Sequence, residues 1–412
     1  MTRPCARVLL AAIVLAPLRA RAGGILLYEV GTSDVGLASA GYGARAQDAS
    51  TVLTNPAGMT RLAGAQILVG GQLLYADATF TPGAGTSPGL GSGNGGNPIG
   101  WFPGGGLFFS YALSPQVAVG IATAGTFGTK LGYEPGWVGR YYAQEATLIG
   151  LSLLPSVAWK PIDQLSLGAS LNAMYGVLEQ KMATNGRGGA DGQLSFSDTA
   201  WGVGVNVGVL WEPAPGTRIG VTWNSQVSLG FSAVPELTGA TPQQSLSIGM
   251  RVPQGVMVSA LQQVGDRFAV LAGAGWQQWS KFGMLEVGLS DTASPATFDL
   301  HYKDTWHGAL GAQFWLTPAW RIDGGVAYDS EFQDGSDVSP IMPVNAAWRF
   351  GLGFRHQGEK LGWGAAAEYG TGPSLGVNRQ ATLPLALGGR GDLAGSYSPF
   401  TLFLAVNVDW KL

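Results

Sequence analysis

The chain has 412 residues, 46% of them hydrophobic and only 12% charged, about half the charged share of a soluble protein. A net charge of −3, with no basic stripe carrying interleaved aromatics, excludes a nucleic-acid partner. Glycine (65 residues) and tryptophan (14) are abundant, yet no stretch approaches the ~20 apolar residues of a membrane-spanning helix. An apolar chain with few charges and no such helix has one common solution, a barrel whose strands alternate lipid-facing and lumen-facing residues.

The chain opens with Arg3 and Arg7, then an apolar run from Val8 to Leu18 that is too short to span a bilayer. Ala20-Arg21-Ala22 supplies an A-x-A cleavage site, so residues 1–22 are expected to be a cleaved signal peptide and Gly23 the mature start. The single cysteine, Cys5, falls in this segment. A mature chain without cysteine has no disulfide, thiol nucleophile or thiolate metal site.

Residues 23–64 lack sustained alternation and are punctuated by Gly31, Gly36, Gly41, Gly43, Asn55, Pro56 and Gly58. Leu26, Leu27, Tyr28, Val30, Val35 and Leu37 make the segment too apolar for a free tail. It is expected to be a plug inside a barrel formed by residues 65–412. Proline biases Asn55 toward an extended conformation and removes a backbone donor, which suits Asn55-Pro56-Ala57 to a turn within a lumen.

From there the period of two dominates. Trp201, Val203, Val205, Val207, Val209 and Trp211 share one face, and Gly202, Gly204, Asn206, Gly208 and Leu210 the other. Leu165–Tyr175, Phe268–Trp276, Trp320–Tyr328, Trp348–Phe354, Leu361–Tyr369 and the final Phe400–Leu412 alternate in the same way. Six short turn-rich connections lie around Pro115, Ile162, Glu212 to Gly216, Gly265, Pro318 and Glu359. Seven long ones are expected near 77–104, 126–146, 179–197, 232–251, 281–303, 330–346 and 371–398. Thirteen connections imply fourteen antiparallel strands, with both ends of the barrel on the short-turn, periplasmic side.

Further residues carry a resemblance. Gly31-Thr-Ser-Asp-Val-Gly36, Ala38-Ser-Ala-Gly41, Asp48-Ala49 and Asn55-Pro56-Ala57 resemble the N-terminal hatch of the FadL family of outer-membrane transporters. Trp137-Val-Gly-Arg140-Tyr141, Val252-Pro253-Gln254, Trp276-Gln-Gln-Trp279-Ser280, Lys303-Asp304-Thr305-Trp306 and Gly325-Val-Ala-Tyr328-Asp329 are similar to its barrel. That resemblance implies a fourteen-stranded barrel with a hatch, working without ATP or cofactor. It also implies passive uptake of long-chain fatty acids or, in the TodX-like branch, aromatic hydrocarbons. The ligand would pass from an outer groove to an internal pocket and leave sideways where a strand kinks. Fatty-acid members place basic side chains inside the barrel. At one such position this chain has Met182, beside Lys181, and at another Phe298, just before Lys303. Those departures favour a neutral ligand. The chain also ends in Leu412, where an aromatic residue is usual for recognition by the assembly machinery.

Trp137, Arg140, Lys181, Phe298 and Lys303 are therefore the candidate ligand residues, and Asn55, Pro56 and Ala57 the candidate gate. Other chemistry is sparse. His301, His307 and His356 read as wall or turn residues, and Asp329, Glu331, Asp334 and Asp337 as a solvated loop face rather than a Ca²⁺ site. Gly91-Ser-Gly93-Asn-Gly-Gly96 matches G-x-G-x-x-G only by letter, since no helix follows. No metal, cofactor or catalytic role is expected. The alternatives are a general diffusion porin and a hydrolase at the barrel rim. Outer-membrane lipid, lipopolysaccharide and the assembly machinery are the expected macromolecular surroundings, and a sealed single-chain barrel needs no second subunit.

Overall fold

The computed structural model describes residues 26–238, 244–289, 296–335, 337–344 and 347–412. The expected signal peptide lies outside them. Fourteen strands among the described residues form the wall. They are β1 Ala65–Asp77, β2 Gly100–Ala112, β3 Val117–Gly132, β4 Glu145–Ile162 and β5 Leu165–Thr184. There follow β6 Gly192–Ala214, β7 Thr217–Asn224, β8 Gly255–Val264, β9 Phe268–Gln277 and β10 Thr305–Thr317. The last four are β11 Trp320–Asp329, β12 Ala347–Gln357, β13 Leu361–Thr371 and β14 Phe400–Lys411. Each pairs antiparallel with its sequence neighbours, and β14 returns to β1 from Gln66↔Lys411 to Asp77↔Phe400. Closure gives every strand of the wall a partner on both sides, as a wall in lipid requires.

Burial follows the alternation read from the sequence. On β6, Trp201, Val203, Val205, Val207 and Trp211 are exposed while Gly202, Gly204, Asn206, Gly208 and Leu210 are buried. β10 and β12 likewise bare Trp306, Leu310, Phe314, Trp348, Phe350, Leu352 and Phe354 on their outer faces. A belt of bare apolar side chains of this extent belongs against lipid.

The loops differ from expectation in several places. The connection expected over 179–197 is only residues 185–191, because β5 and β6 run on for 20 and 23 residues, about twice what crosses the apolar band. Trp101 and Phe102, inside the connection expected over 77–104, belong instead to β2, as do Phe108 and Phe109. Trp101 packs its ring 5.1 Å from Tyr75 on the outer face, and Phe108 is fully buried.

The wall is irregular twice. β2 and β3 pair only from Gly106↔Ala124 to Ala112↔Ala118, so the outer ends of the two strands part. β3 bends there, with a register shift against β4 between Gly125 and Phe127. Gly105 (φ 153°) and Gly128 (φ 154°) flank the split in backbone conformations that side chains rarely allow. The second irregularity lies between β6 and β7, which pair only between Asn206↔Asn224 and Ala214↔Thr217. After Asn224 the chain leaves the wall. Val227–Ala233 pairs with Leu246–Val252 in a four-stranded sheet with Met284–Leu289 and Ala296–Asp299. Val227, Leu229 and Phe231 of this sheet press on Gly176, Gly202 and Gly204, glycines on the inward faces of β5 and β6.

Residues 26–62 are almost wholly buried and follow the inner wall. Leu27 N donates to Thr126 O (3.0 Å) at the bend of β3, and Gly31 N to Gln72 Oε1 (2.7 Å) on β1. A four-residue helix, α1 (Asp34–Leu37), then lies on Gly325, Gly351 and Gly353 of β11 and β12. Gly43 N donates to Ser259 Oγ (3.0 Å) on β8, and Asn55 Nδ2 to Val209 O (3.0 Å) on β6. Thr60 Oγ1 meets Ser166 Oγ at 2.7 Å on β5. Hence glycines of the inward faces, among them Gly168, Gly208, Gly325, Gly351 and Gly353, are seats for this segment.

Candidate functional site

The segment is fastened by buried ion pairs, which hold only where charge is matched. Arg45 meets Asp34 (3.0 Å) and Asp48 (3.2 Å), and Arg355 of β12 bridges Asp48 (3.5 Å) to Asp409 of β14 (2.6 Å). Arg349 of β12 is shared by Glu29, Asp329 (2.7 Å) and Glu368 (3.2 Å). His307 Nδ1 lies 2.7 Å from the same Asp329.

Asn55 explains the local fold. Its backbone is extended (φ −161°, ψ 100°), as a residue before proline prefers, and its Oδ1 caps a 3₁₀ helix, Pro56–Arg61, by accepting from Ala57 N (3.1 Å). Its Nδ2 donates to Gly43 O (2.6 Å) as well as to Val209 O. Asn55-Pro56-Ala57 thus rests on Gly168 of β5 and Gly208 of β6, where a Cβ would collide with it.

Between the start of this segment and β3–β9 lies a partly open cavity. Its apolar lining includes Leu26, Leu27, Leu154, Met174, Val227, Val252, Met257 and Trp276. Its polar lining includes Thr126, Ser152, Asn172, Asn206, Thr222 and Asn224. None of the lining residues is charged. Tyr28 and Gln277 close one end, with Gln277 Nε2 donating to Tyr28 OH at 2.5 Å. Leu26 and Leu27 touch Thr126–Phe127, so the cavity runs up to the split beside β3.

Five aromatics pack into a buried apolar cluster. Phe127, at the bend of β3, stacks on Trp279 (6.4 Å between centroids), and Phe282 stacks on Tyr302 (6.1 Å). Phe332 meets Tyr302 at 4.8 Å. Only Trp279 belongs to a motif singled out in the sequence. The others were legible as bulky aromatics in otherwise polar connecting segments.

The outermost loops make a packed cap. Trp137 is stacked on Tyr133 at 3.8 Å with an interplanar angle of 7°, and its Nε1 donates to Ala143 O (2.7 Å). Tyr133 OH reaches Tyr397 OH and Pro340 O, each at 2.8 Å. Arg140 donates to Asp191 (2.7 Å), Leu90 O (2.8 Å) and Tyr141 OH (3.1 Å). Burial works against the Asp191 anion, yet hydrogen bonds from Tyr141 and Arg140 hold its carboxyl below the usual range. Trp137→Ala should cost this cap about 3–5 kcal/mol, seen as faster protease nicking of the outer loops with the barrel core intact.

The sequence-derived ligand residues do not converge. Trp137 and Arg140 lie in the cap. Lys181 pairs with Glu145 (2.8 Å), and Lys303 with Asp334 and Glu331 (3.6 Å). Phe298 is exposed at 54%, and Met182 is buried with Arg390 3.9 Å from its sulfur. None of the five lines the cavity. Asp329, read as part of a solvated loop face, is instead held inside by Arg349 and His307. His301 lies 3.6 Å from Asp337 and His356 packs on Trp320, so the three histidines occupy separate settings.

A closed fourteen-stranded barrel with an apolar outer belt is an outer-membrane protein. A sequence profile described as "Outer membrane protein transport protein (OMPP1/FadL/TodX)" matches residues 13–397, and the chain belongs to that family. Outer membrane protein P1 of Haemophilus influenzae is 26% identical over 387 residues, 82% of this chain and 83% of that one. The long-chain fatty acid transport protein of Escherichia coli K12 is 24% identical over 379 residues, 81% of this chain and 84% of its own. Among solved structures, a Pseudomonas aeruginosa FadL homologue superposes with a TM-score of 0.82 at 20% identity, covering 94% of this chain and all of that one. The Pseudomonas putida toluene transporter TodX gives 0.66 at 15% identity, covering 93% and 98%. The family's members are transport proteins of the outer membrane.

Proposed function

We propose that this protein takes up hydrophobic small molecules across the outer membrane passively, without ATP, cofactor or catalysis. The observation that carries the reading is the uncharged cavity inside the barrel, whose lining reaches Thr126 at the bend of β3 beside the split in the wall. Among the relatives, the Escherichia coli protein is named for long-chain fatty acids and the Pseudomonas putida protein for toluene. A cavity without a cation favours the neutral class, because a carboxylate there would be desolvated and unpaired.

In this reading residues 1–22 are the export signal, 23–64 the hatch and 65–412 the barrel. A ligand crosses the cap, passes Phe127 and Trp279, and rests in the cavity. It leaves sideways between β2 and β3 once Leu26–Leu27 withdraw from Thr126–Phe127. The seat of Asn55-Pro56-Ala57 on Gly168 and Gly208 makes that element the pivot of the hatch. The barrel works as a monomer surrounded by lipid and lipopolysaccharide, after insertion by the assembly machinery.

Uptake of radiolabelled oleate and toluene by cells depending on this protein tests the reading. Transport of either above a vector control supports it, and transport of neither sinks it. Pro56→Ala should lower the uptake rate several-fold while the folded barrel still migrates as a compact band on unheated gels. Undiminished uptake would remove the pivot from the mechanism. A diffusion porin would instead show large, steady conductance in planar bilayers. A rim hydrolase would show ester hydrolysis lost on replacing His301, His307 or His356.

A further inference from the structure

Two asparagines lining the cavity each keep a buried oxygen with no hydrogen-bond partner among the described residues. Asn172 on β5 and Asn206 on β6 are each more than nine-tenths buried, and the Oδ1 of both accepts no hydrogen bond. The β5–β6 register sets Asn172 opposite Gly204 and Ser170 opposite Asn206, so the two amides are diagonal neighbours on one inward face. Both line the cavity.

Four neighbouring polar side chains, Thr126, Ser152, Ser225 and Gln277, are already engaged. Ser152 Oγ meets Thr126 Oγ1 at 2.9 Å, Ser225 Oγ accepts from Val205 N at 2.8 Å, and Gln277 is divided between Tyr28 and Trp279. Buried carbonyl oxygens without donors are costly, so a site that keeps two of them is matched to a guest that brings a donor. Facing them are Leu27, Val227, Met257 and Trp276, a surface for a hydrocarbon or ring. A carboxylate has no cation there, and Arg349 is already shared by three carboxylates.

We propose that the cavity selects neutral hydroxyl-bearing hydrophobic molecules, phenols and alcohols, whose O–H donates to Asn172 or Asn206. This rests on the transport reading and narrows its substrate class. A bare hydrocarbon leaves both carbonyl oxygens unserved, and so does an ether or ester, which only accepts and can meet the amides at their N–H groups alone. Discrimination of this kind is strongest where a site is built to hydrogen-bond and the competitor lacks the group.

The test is calorimetric binding of four probes to the purified full-length barrel: 1-naphthol, naphthalene, 1-methoxynaphthalene and 1-naphthoate. The expected result is 1-naphthol tightest, about five- to tenfold over naphthalene and over the methyl ether, with 1-naphthoate weakest. Asn172→Leu combined with Asn206→Leu should bring the naphthol-to-naphthalene ratio to about one. The wild-type comparison of naphthol with its methyl ether needs no variant, so a misfolded double mutant does not shield the proposal. Equal affinity for naphthol, naphthalene and the ether overturns it while leaving a hydrocarbon transporter standing. Tightest binding of naphthoate overturns it in favour of an anion site. Binding of none of the four refutes the cavity as a transport site altogether.

Discussion

Gly208→Leu, or Gly168→Leu, should convert a closed barrel into a conducting one. Both glycines face inward beneath Asn55-Pro56-Ala57, and a Cβ at either would lie inside the van der Waals radii of that element. The wall is locked by two ladders at each position, Gly168 facing Ala158 and Gly208, and Gly208 facing Gly168 and Thr222. The less firmly tied partner, the 3₁₀ helix with its cap at Asn55, has to move. Its departure removes the bonds from Asn55 to Gly43 and Val209 and opens the lumen beside β5 and β6. Single-channel recording should show steady conductance in the variant and little in the parent. An outward-facing control, Val207→Leu, should behave as the parent. A silent Gly208→Leu barrel would mean that the segment does not close the lumen.

Arg349 should be the single most costly charge to remove. Its guanidinium is buried and serves Glu29 of the N-terminal segment together with Asp329 and Glu368 of the wall. Arg349→Met takes the cation from three buried carboxylates, of which Asp329 keeps a partner in His307, and breaking a buried pair typically costs about 3–5 kcal/mol. Part of that loss should return in Arg349→Met combined with Glu29→Gln, because one stranded charge is then gone. Arg349→Lys should recover little, since one ammonium lacks the planar fork that spans three partners. Urea unfolding of the four proteins in detergent checks this order. Equal midpoints for parent and Arg349→Met would show that the cluster contributes nothing to stability.

The two expectations differ in how far the sequence foretold them. Arg349 and Glu368 stand at inward positions of readable alternating strands, so their meeting inside the barrel was foreseeable. Glu29 joining them was not, since nothing local ties a residue of the N-terminal segment to one 320 positions away. Gly208 was likewise legible as an inward glycine but not as a seat. Asn172 and Asn206 were inward residues in two of the clearest strands, yet their lack of partners depends on what every neighbour does. The candidates Arg140, Lys181 and Lys303 show the reverse, because each cation is claimed by a nearby acid whose position only folding sets.

The sequence by itself determined the period of two, the alternation of short and long connections, and from them fourteen strands facing lipid on one side. These follow from chain geometry and the bilayer, which act on every strand alike and leave their mark residue by residue. The tertiary structure alone decided where β2 parts from β3, why the chain leaves the wall after Asn224, and which glycines carry the N-terminal segment. Those features arise where distant segments compete for the same inward space. Steric fit and charge pairing across the lumen have no sequence period, and they appear only once the wall has closed around its contents.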